Sequence, residues 1–353
     1  MNRRDFLHAA AALAACAASG GFASGTDGVR TFTNPVIPVD WPDPAIYRGA
    51  DGVYYSVATM LRTVRTSANL IDWTDTGIKP LSADAAARLR AISKNWWAPC
   101  VKRIAGRYVL YISHLNTDID CSVSVLVADK PTGPFEFVRT LVDGRKLRIE
   151  NTIDPFVVED AGRVWLFTGS DQDGIHRLEL AADGLSLKPG TRPVHVAGIR
   201  KKVPGKSQWG EKGCWEGAYL HPHGGKWYLF ASGGRFDIGT YHLVVGRADR
   251  LDGVFHDREG HPMTAGLARP ILWSETGDKF TGPGHNGEVF ASVDGREWMF
   301  FHAHDTAMPR AGDRPTLLQE LKWTVDGWPY FEGGKAQLVQ ERFVAADGRA
   351  RSD

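Results

Sequence analysis

Trp41-Pro42-Asp43-Pro44-Ala45-Ile46-Tyr47, followed by Gly52-Val53-Tyr54-Tyr55, is the stretch on which the reading of this chain turns. It sets an acid between two prolines, directly ahead of a run that alternates like a strand. Each proline fixes its own φ and restricts the residue before it, so the carboxylate is held stiffly. The same grammar returns as Ile153-Asp154-Pro155-Phe156-Val157-Val158 and, altered, as Trp215-Glu216-Gly217-Ala218-Tyr219-Leu220. Asp43, Asp154 and Glu216 each open a strand-turn-strand unit, and the units look like copies of one another.

Two further starts complete the series: Asn95-Trp96-Trp97-Ala98-Pro99 and Gly282-Pro283-Gly284-His285-Asn286. Starts thus recur near residues 43, 97, 154, 216 and 285. Each is followed by Gly, a basic or small residue, and an aromatic strand, as in Gly162-Arg163-Val164-Trp165-Leu166-Phe167 and Gly224-Gly225-Lys226-Trp227-Tyr228-Leu229. Repeats of roughly 40–50 residues with four strands each predict a β-propeller. Five starts predict five blades in an all-β domain over residues 31–345, with an entry strand and linker at 31–38 and a closing strand after Asp326-Gly327-Trp328-Pro329. The alternative, a large β-sandwich, leaves the likeness of the starts unexplained. A helix is expected only over residues 83–93, rich in Ala, Leu and Arg.

The balance of 42 Lys and Arg against 41 Asp and Glu gives a net charge of +1, so neither a nucleic-acid surface nor an acidic tail is indicated. Residues 1–23 read as a leader: Asn2-Arg3-Arg4-Asp5-Phe6-Leu7 and the Ala-rich run after it have the layout of a bacterial twin-arginine export signal. Cleavage after Ala23 predicts a periplasmic or secreted protein. Leu13-Ala14-Ala15-Cys16 is the competing reading, a lipoprotein box with Cys16 as the lipidated residue. No later run reaches the ~18–20 apolar residues a membrane span needs. Cys100, Cys121 and Cys214 match no zinc spacing; they are read as buried thiols, with a Cys100–Cys121 disulfide as the alternative.

The innermost strand of each propeller blade lines the central channel, so residues at equivalent strand starts gather at one mouth. If Asp43, Asp154 and Glu216 are equivalent, they ring one funnel and their mutual repulsion must split their pKa values. Such a split suits chemistry in which one acid stays protonated while another is ionised. Asp before Pro is also a common turn former, so any one of these acids alone would carry little.

Taken together the starts resemble glycoside hydrolase family 43, the five-bladed propeller glycosidases of plant cell-wall breakdown. The resemblance rests on Trp41-Pro42-Asp43-Pro44, Trp96-Trp97-Ala98-Pro99, Ile153-Asp154-Pro155, Trp215-Glu216-Gly217, Gly282-Pro283-Gly284-His285-Asn286 and Asp326-Gly327-Trp328-Pro329, which span nearly the whole chain after the leader. It implies an inverting hydrolase with Asp43 as general base, Glu216 as general acid, and Asp154 orienting the acid and raising its pKa. It also implies a cation near His285, calcium within a mostly water shell, although a single His is a poor calcium site by itself. His302 and His304 share a strand face and are read as pore lining rather than a metal pair. Trp41 and Trp97 are candidate sugar platforms, and Arg314 is a candidate substrate-binding residue, although the loop before it departs from the family pattern.

Two cues bear on substrate and disagree. Tyr241-His242-Leu243-Val244-Val245-Gly246-Arg247 with Asp257-Arg258-Glu259-Gly260 resembles arabinan-cleaving members. Arg62-Thr63-Val64-Arg65-Thr66-Ser67 with Leu70-Ile71-Asp72-Trp73 looks more like exo-acting xylosidases and arabinofuranosidases. The expectation is a monomeric enzyme on arabinose-containing glycans. A β-xylosidase or β-1,3-galactanase is the alternative within the family, and a non-catalytic glycan-binding propeller the alternative outside it.

Overall fold

The computed structural model of the chain describes residues 28–116, 121–170, 172–200, 210–308, 310 and 312–344. Residues 1–23, where a twin-arginine leader is expected, lie outside the described residues, and Cys16 with them.

Five antiparallel sheets follow one another along the chain in the five-bladed propeller order. Blade 1 comprises Ala45–Arg48, Tyr54–Val57, Arg65–Ser67 and Thr74–Asp75. Blade 2 comprises Trp96–Ile104, Arg107–Leu115, Cys121–Ala128 and Glu136–Asp143. Blade 3 comprises Phe156–Asp160, Arg163–Thr168, Ile175–Leu180 and Val194–Ala197. The expectation of four strands per blade fails in blade 4, while blade 5 keeps four positions with its inner strand broken in two. Blade 4 has three in its sheet, Trp215–His223, Lys226–Gly233 and His242–Ala248. Only single bridges, Leu243 with Leu272 and Arg247 with His256, stand where its outer strand would run. In blade 5 the inner strand is split into Phe280–Gly284 and Val289–Ala291, both paired with Glu297–Asp305, and Thr316–Trp323 and Pro329–Tyr330 lie outside it.

Among the described residues the ring closes through hydrogen bonds. Gly28–Thr33 pairs antiparallel with Val339–Val344. Next to that pair, the buried Asn34 side chain accepts from the Leu318 N–H and donates to the Leu318 carbonyl, both at 2.9 Å. Apolar residues fill the spaces between blades, because each sheet buries both faces against its neighbours. Tyr47, Val57, Leu110 and Phe135 pack between blades 1 and 2, and Ile37, Ile46, Trp298, Phe300 and Leu318 between blades 5 and 1. The one long helix among the described residues, Ala83–Ile92, starts at a Ser82 cap whose side chain accepts from the Ala85 N–H, and it buries Ala85 and Leu89 in the first of these clusters.

The buried-thiol reading of the cysteines holds, and one expectation, for Trp41, is corrected. Cys100 and Cys121 are thiols, not a disulfide. They sit on strands one and three of blade 2, facing Tyr111 and Leu115 of the strand between, and so are kept apart. Trp41 offers no sugar platform. It is 3% exposed, its indole N–H donates to Ser56 at 2.8 Å, and the Arg65 guanidinium covers its ring at 4.9 Å.

Candidate active site

Each blade start carries, at the same place in its turn, a residue with φ in the left-handed region: Asp43 (53°), Ala98 (45°), Asp154 (58°), Gly217 (63°) and His285 (45°). Non-glycine residues rarely adopt such φ values, and they persist only where the surroundings over-determine them. The surroundings here are a ring of hydrogen bonds between blades. The backbone N–H of each of these residues donates to a side chain of the preceding blade. Asp43 donates to His302 Nδ1 at 3.2 Å, Ala98 to Thr59 at 2.9 Å and Asp154 to Ser113 at 2.8 Å. Gly217 donates to Asp154 Oδ2 at 3.1 Å, and His285 to Ser232 at 2.8 Å.

This ring shows the true register of the repeat. Asp43 and Asp154 are equivalent, but their counterpart in blade 4 is Gly217. Glu216 precedes it by one residue, so it is not a third copy of the same position. The offset changes its neighbours. Glu216 Oε1 accepts from the Tyr241 hydroxyl at 2.6 Å, and Oε2 bonds the Ser170 hydroxyl at 2.8 Å. Gly217 has no side chain for a good reason: a Cβ there would lie 3.1 Å from His285 Nδ1. Gly284 lets Tyr241 in just as closely, since a Cβ would sit 2.5 Å from its ring.

The starts converge as the propeller requires. One small cavity of about 30 Å³ on the axis is lined from all five blades, by residues including Pro44, Pro99, Pro155, Ala218 and Asn286. Beside it opens a pocket of about 360 Å³, lined by Asp43, Asp154, Glu216, Trp97, His285 and Arg314, with Thr59, Asn151, Ile153 and Phe236. All the expected site residues except Trp41 therefore face one pocket.

The acids are not electrostatically alike. Burial opposes ionisation of Asp43, but the Arg314 guanidinium, with the His285 and His302 rings beside it, outweighs it and holds its carboxyl well below the usual carboxylate range. Arg314 Nη1 lies 3.4 Å from Asp43 Oδ1, His302 Nδ1 3.2 Å and His285 Nδ1 3.5 Å. The Thr59 hydroxyl donates to Asp43 Oδ2 at 2.5 Å. Asp154 goes the other way. Burial, then the neighbouring Glu216 and Asp43, push it well above the usual range. Asp154 therefore keeps its proton where Asp43 has lost its own. Both histidines stay neutral: burial lowers His285, and burial with Arg314 nearby takes His302 down to about 3.

Several of these partners escaped the sequence reading. His302 was placed in the pore but not against Asp43. Tyr241, Ser170, Thr59 and Phe236, whose ring carries the Arg314 guanidinium at 4.2 Å, were not singled out as site residues. No local spacing marks them, because each meets its partner across a blade boundary or from a loop. His304 turns away from Asp43, its Nδ1 3.2 Å from the Asp313 carbonyl.

An ionised carboxylate and a proton-holding carboxyl, with Glu216 beside them, facing one sugar-sized pocket are the working parts of a glycosidase, and comparison with known proteins agrees. The enzyme is a glycoside hydrolase. The pattern of glycosyl hydrolases family 43 matches residues 32–329, and the chain belongs to that family. Among characterised relatives it is 26% identical over 312 residues to the extracellular exo-alpha-(1->5)-L-arabinofuranosidase ArbA of Cellvibrio japonicus (strain Ueda107), covering 82% of this chain and 86% of that one. It is also 26% identical to the extracellular endo-alpha-(1->5)-L-arabinanase 2 of Bacillus subtilis (strain 168), covering 81% and 69%. An exo-1,5-alpha-L-arabinanase from a bovine ruminal metagenomic library has the same fold, with a TM-score of 0.69 at 25% identity over 84% of this chain and 97% of that one. The Cellvibrio cellulosa alpha-L-arabinanase complexed with arabinohexaose superposes with a TM-score of 0.72 at 24% identity, covering 83% and 96%.

Proposed function

We propose that this enzyme hydrolyses α-1,5-linked arabinose units in plant cell-wall arabinan, with inversion at the anomeric carbon. The opposed ionisation of Asp43 and Asp154 in one pocket that Glu216 also lines supports the mechanism, and the activities named for the relatives support the substrate. Asp43, ionised, takes a proton from a water that attacks the anomeric carbon. Glu216 gives its proton to the departing glycosidic oxygen. Asp154 keeps that proton available, and its bond to the Gly217 N–H fixes the backbone beside Glu216. Trp97 and Arg314 hold the sugar. Proton loss at one face and proton gain at the other leave the site one transfer from its starting state, as inversion requires.

A calcium ion beside His285 fits the residues present. The imidazole is neutral, and Asn286, which lines the axial cavity next to it, has a buried Oδ1 with no hydrogen-bond partner. His285 and Asn286 would hold the ion with water, and bound calcium would supply positive charge that favours ionised carboxylates. We place the enzyme outside the cytoplasm, exported through the twin-arginine leader as a monomer. No helix among the described residues is long and apolar enough to cross a membrane. Export of a reporter fused to residues 1–23 should stop when Arg3 and Arg4 are both changed to Lys; continued export would remove the twin-arginine reading.

The central test is Glu216→Gln on 1,5-linked arabino-oligosaccharides. Turnover should fall about 10²–10⁴-fold with the fold intact. Wild-type turnover in this variant would overturn the assignment of the acid. Proton NMR of the first-formed sugar should show the anomer opposite to that of the substrate.

A further inference from the structure

Far from the pocket, three side chains converge in a way that hydrolysis does not use. His221 and His223 are two apart on the inner strand of blade 4, Trp215–His223, and so share one face. They lie five and seven residues beyond Glu216, roughly 16–23 Å along the strand. Glu297 is the first residue of Glu297–Asp305 in blade 5. His221 Nε2 lies 3.0 Å from Glu297 Oε2, and His223 Nδ1 lies 3.2 Å from Glu297 Oε1. One ligand atom from each of the three residues falls within 4.8 Å of the others.

We propose that His221, His223 and Glu297 form a zinc site that clamps blade 4 to blade 5. Two imidazoles and one carboxylate are a donor set suited to Zn²⁺. With metal–ligand bonds of about 2.0–2.2 Å, neighbouring ligands on a tetrahedral ion stand about 3.4 Å apart. Each imidazole faces its own Glu297 oxygen, at 3.0 and 3.2 Å, and one ligand atom from each residue lies within 4.8 Å of the others, so a modest side-chain adjustment brings the three onto one ion. Each ring need only carry its proton on the nitrogen facing away from Glu297. The ligands are also braced from behind, as metal ligands are. Trp323 donates its indole N–H to Glu297 Oε2 at 2.8 Å, and its ring stacks flat on His223 with centroids 3.6 Å apart and planes 4° apart. The His223 side chain is 31% exposed, which leaves the fourth position open to water. The three ligands come from two blades, so the ion would tie together the two sheets that depart most from the regular four strands.

The experiment uses the mature chain, stripped with a chelator and titrated with Zn²⁺ against a chromophoric competitor. Wild type should take up one equivalent with a Kd below about 10 μM, and its melting temperature should rise with Zn²⁺. His223→Gln and Glu297→Gln should each weaken that equivalent at least tenfold, and Trp323→Phe, which keeps the stack but loses the N–H, about tenfold. His261→Gln, at an exposed histidine elsewhere in blade 4, should bind as wild type does. Hydrolysis by His223→Gln should be unchanged, since the pocket is remote. X-ray absorption should report two imidazoles on the ion. If wild type shows no equivalent tighter than about 100 μM, or the His223 and Glu297 variants bind like wild type, the trio is a hydrogen-bonded fastening between blades and the zinc site is refuted.

Discussion

The Gly217 backbone N–H donates to Asp154 Oδ2 across the boundary between blades 3 and 4. At the other four boundaries the acceptor is a hydroxyl or an imidazole. Here a carboxyl of the candidate site does the joining. Ser170 lies two residues past the second strand of blade 3, as Thr59 does in blade 1, and it turns to Glu216 instead. Asp154 therefore has a mechanical and an electrostatic role, and two substitutions separate them. Asp154→Asn keeps an oxygen for the Gly217 N–H and should lose turnover, by about 10²-fold or more, without losing the fold. Asp154→Ala leaves that N–H with no acceptor and should cost a further 1–3 kcal/mol or so of stability. Equal urea midpoints for the two variants would show that the joining bond contributes nothing.

Asp43 and Asp154 should affect stability with opposite dependence on pH. The Asp43 pKa is depressed in the fold, so its ionised form adds stability above the unfolded value of about 3.9, and that stability is lost as pH falls through the folded pKa. The Asp154 pKa is raised, so folding pays a penalty that grows as pH rises above about 3.9 toward the folded value and then stays constant. At pH 7, Asp43→Asn should be less stable than wild type and Asp154→Asn more stable. Both differences should shrink when denaturation is repeated below pH 4 or so.

Arg314 is the charge that does most to keep Asp43 ionised. Arg314→Gln should move the acid limb of kcat/KM to higher pH, whereas Arg314→Lys should largely restore it. A limb that stays put in Arg314→Gln would mean that His285 and His302 suffice.

Tyr241→Phe removes the donor to Glu216 Oε1 but keeps the ring that stacks on His302 with planes 1° apart. The loss should appear in kcat rather than KM, at roughly 10–100-fold, matching the ~1–3 kcal/mol of a buried polar group left without its partner. A change confined to KM would place Tyr241 in sugar binding.

Gly284→Ala puts a methyl 2.5 Å from the Tyr241 ring. Relief requires the ring or the strand to shift, at a cost of about 1–3 kcal/mol. Because that ring orders Glu216, activity should fall as well, and Tyr241→Ala in the same chain should recover part of the stability. Wild-type melting of the single variant would show that the contact is soft.

Much of this was legible in the chain. The aromatic strands after each Gly turn, and acid-proline or Gly-Pro-Gly-His starts at regular intervals, specify blades through local chemistry that repeats. Asp43, Asp154, Glu216, Trp97, His285 and Arg314 could be nominated because each belongs to a start motif or to a resemblance built on those motifs. Trp41 was misjudged because Trp beside an acid reads the same whether its ring faces sugar or core, and only the Ser56 and Arg65 contacts distinguish them. Blade 4 lacks a fourth strand because the segment after Ala248 makes single bridges, which no alternation pattern betrays.

Trp41-Pro42-Asp43-Pro44 and its counterparts thus determine by themselves that the chain repeats, where each blade begins, and that carboxyls gather at one mouth. The tertiary structure alone decides what those carboxyls are. It puts Gly217 rather than Glu216 at the repeated position, and it brings Arg314 and His302 to Asp43 from 271 and 259 residues away. The reason is physical. Strand and turn preferences act over a few residues and are written locally, whereas burial and Coulomb forces act through space, and they set a pKa only once the ring has closed.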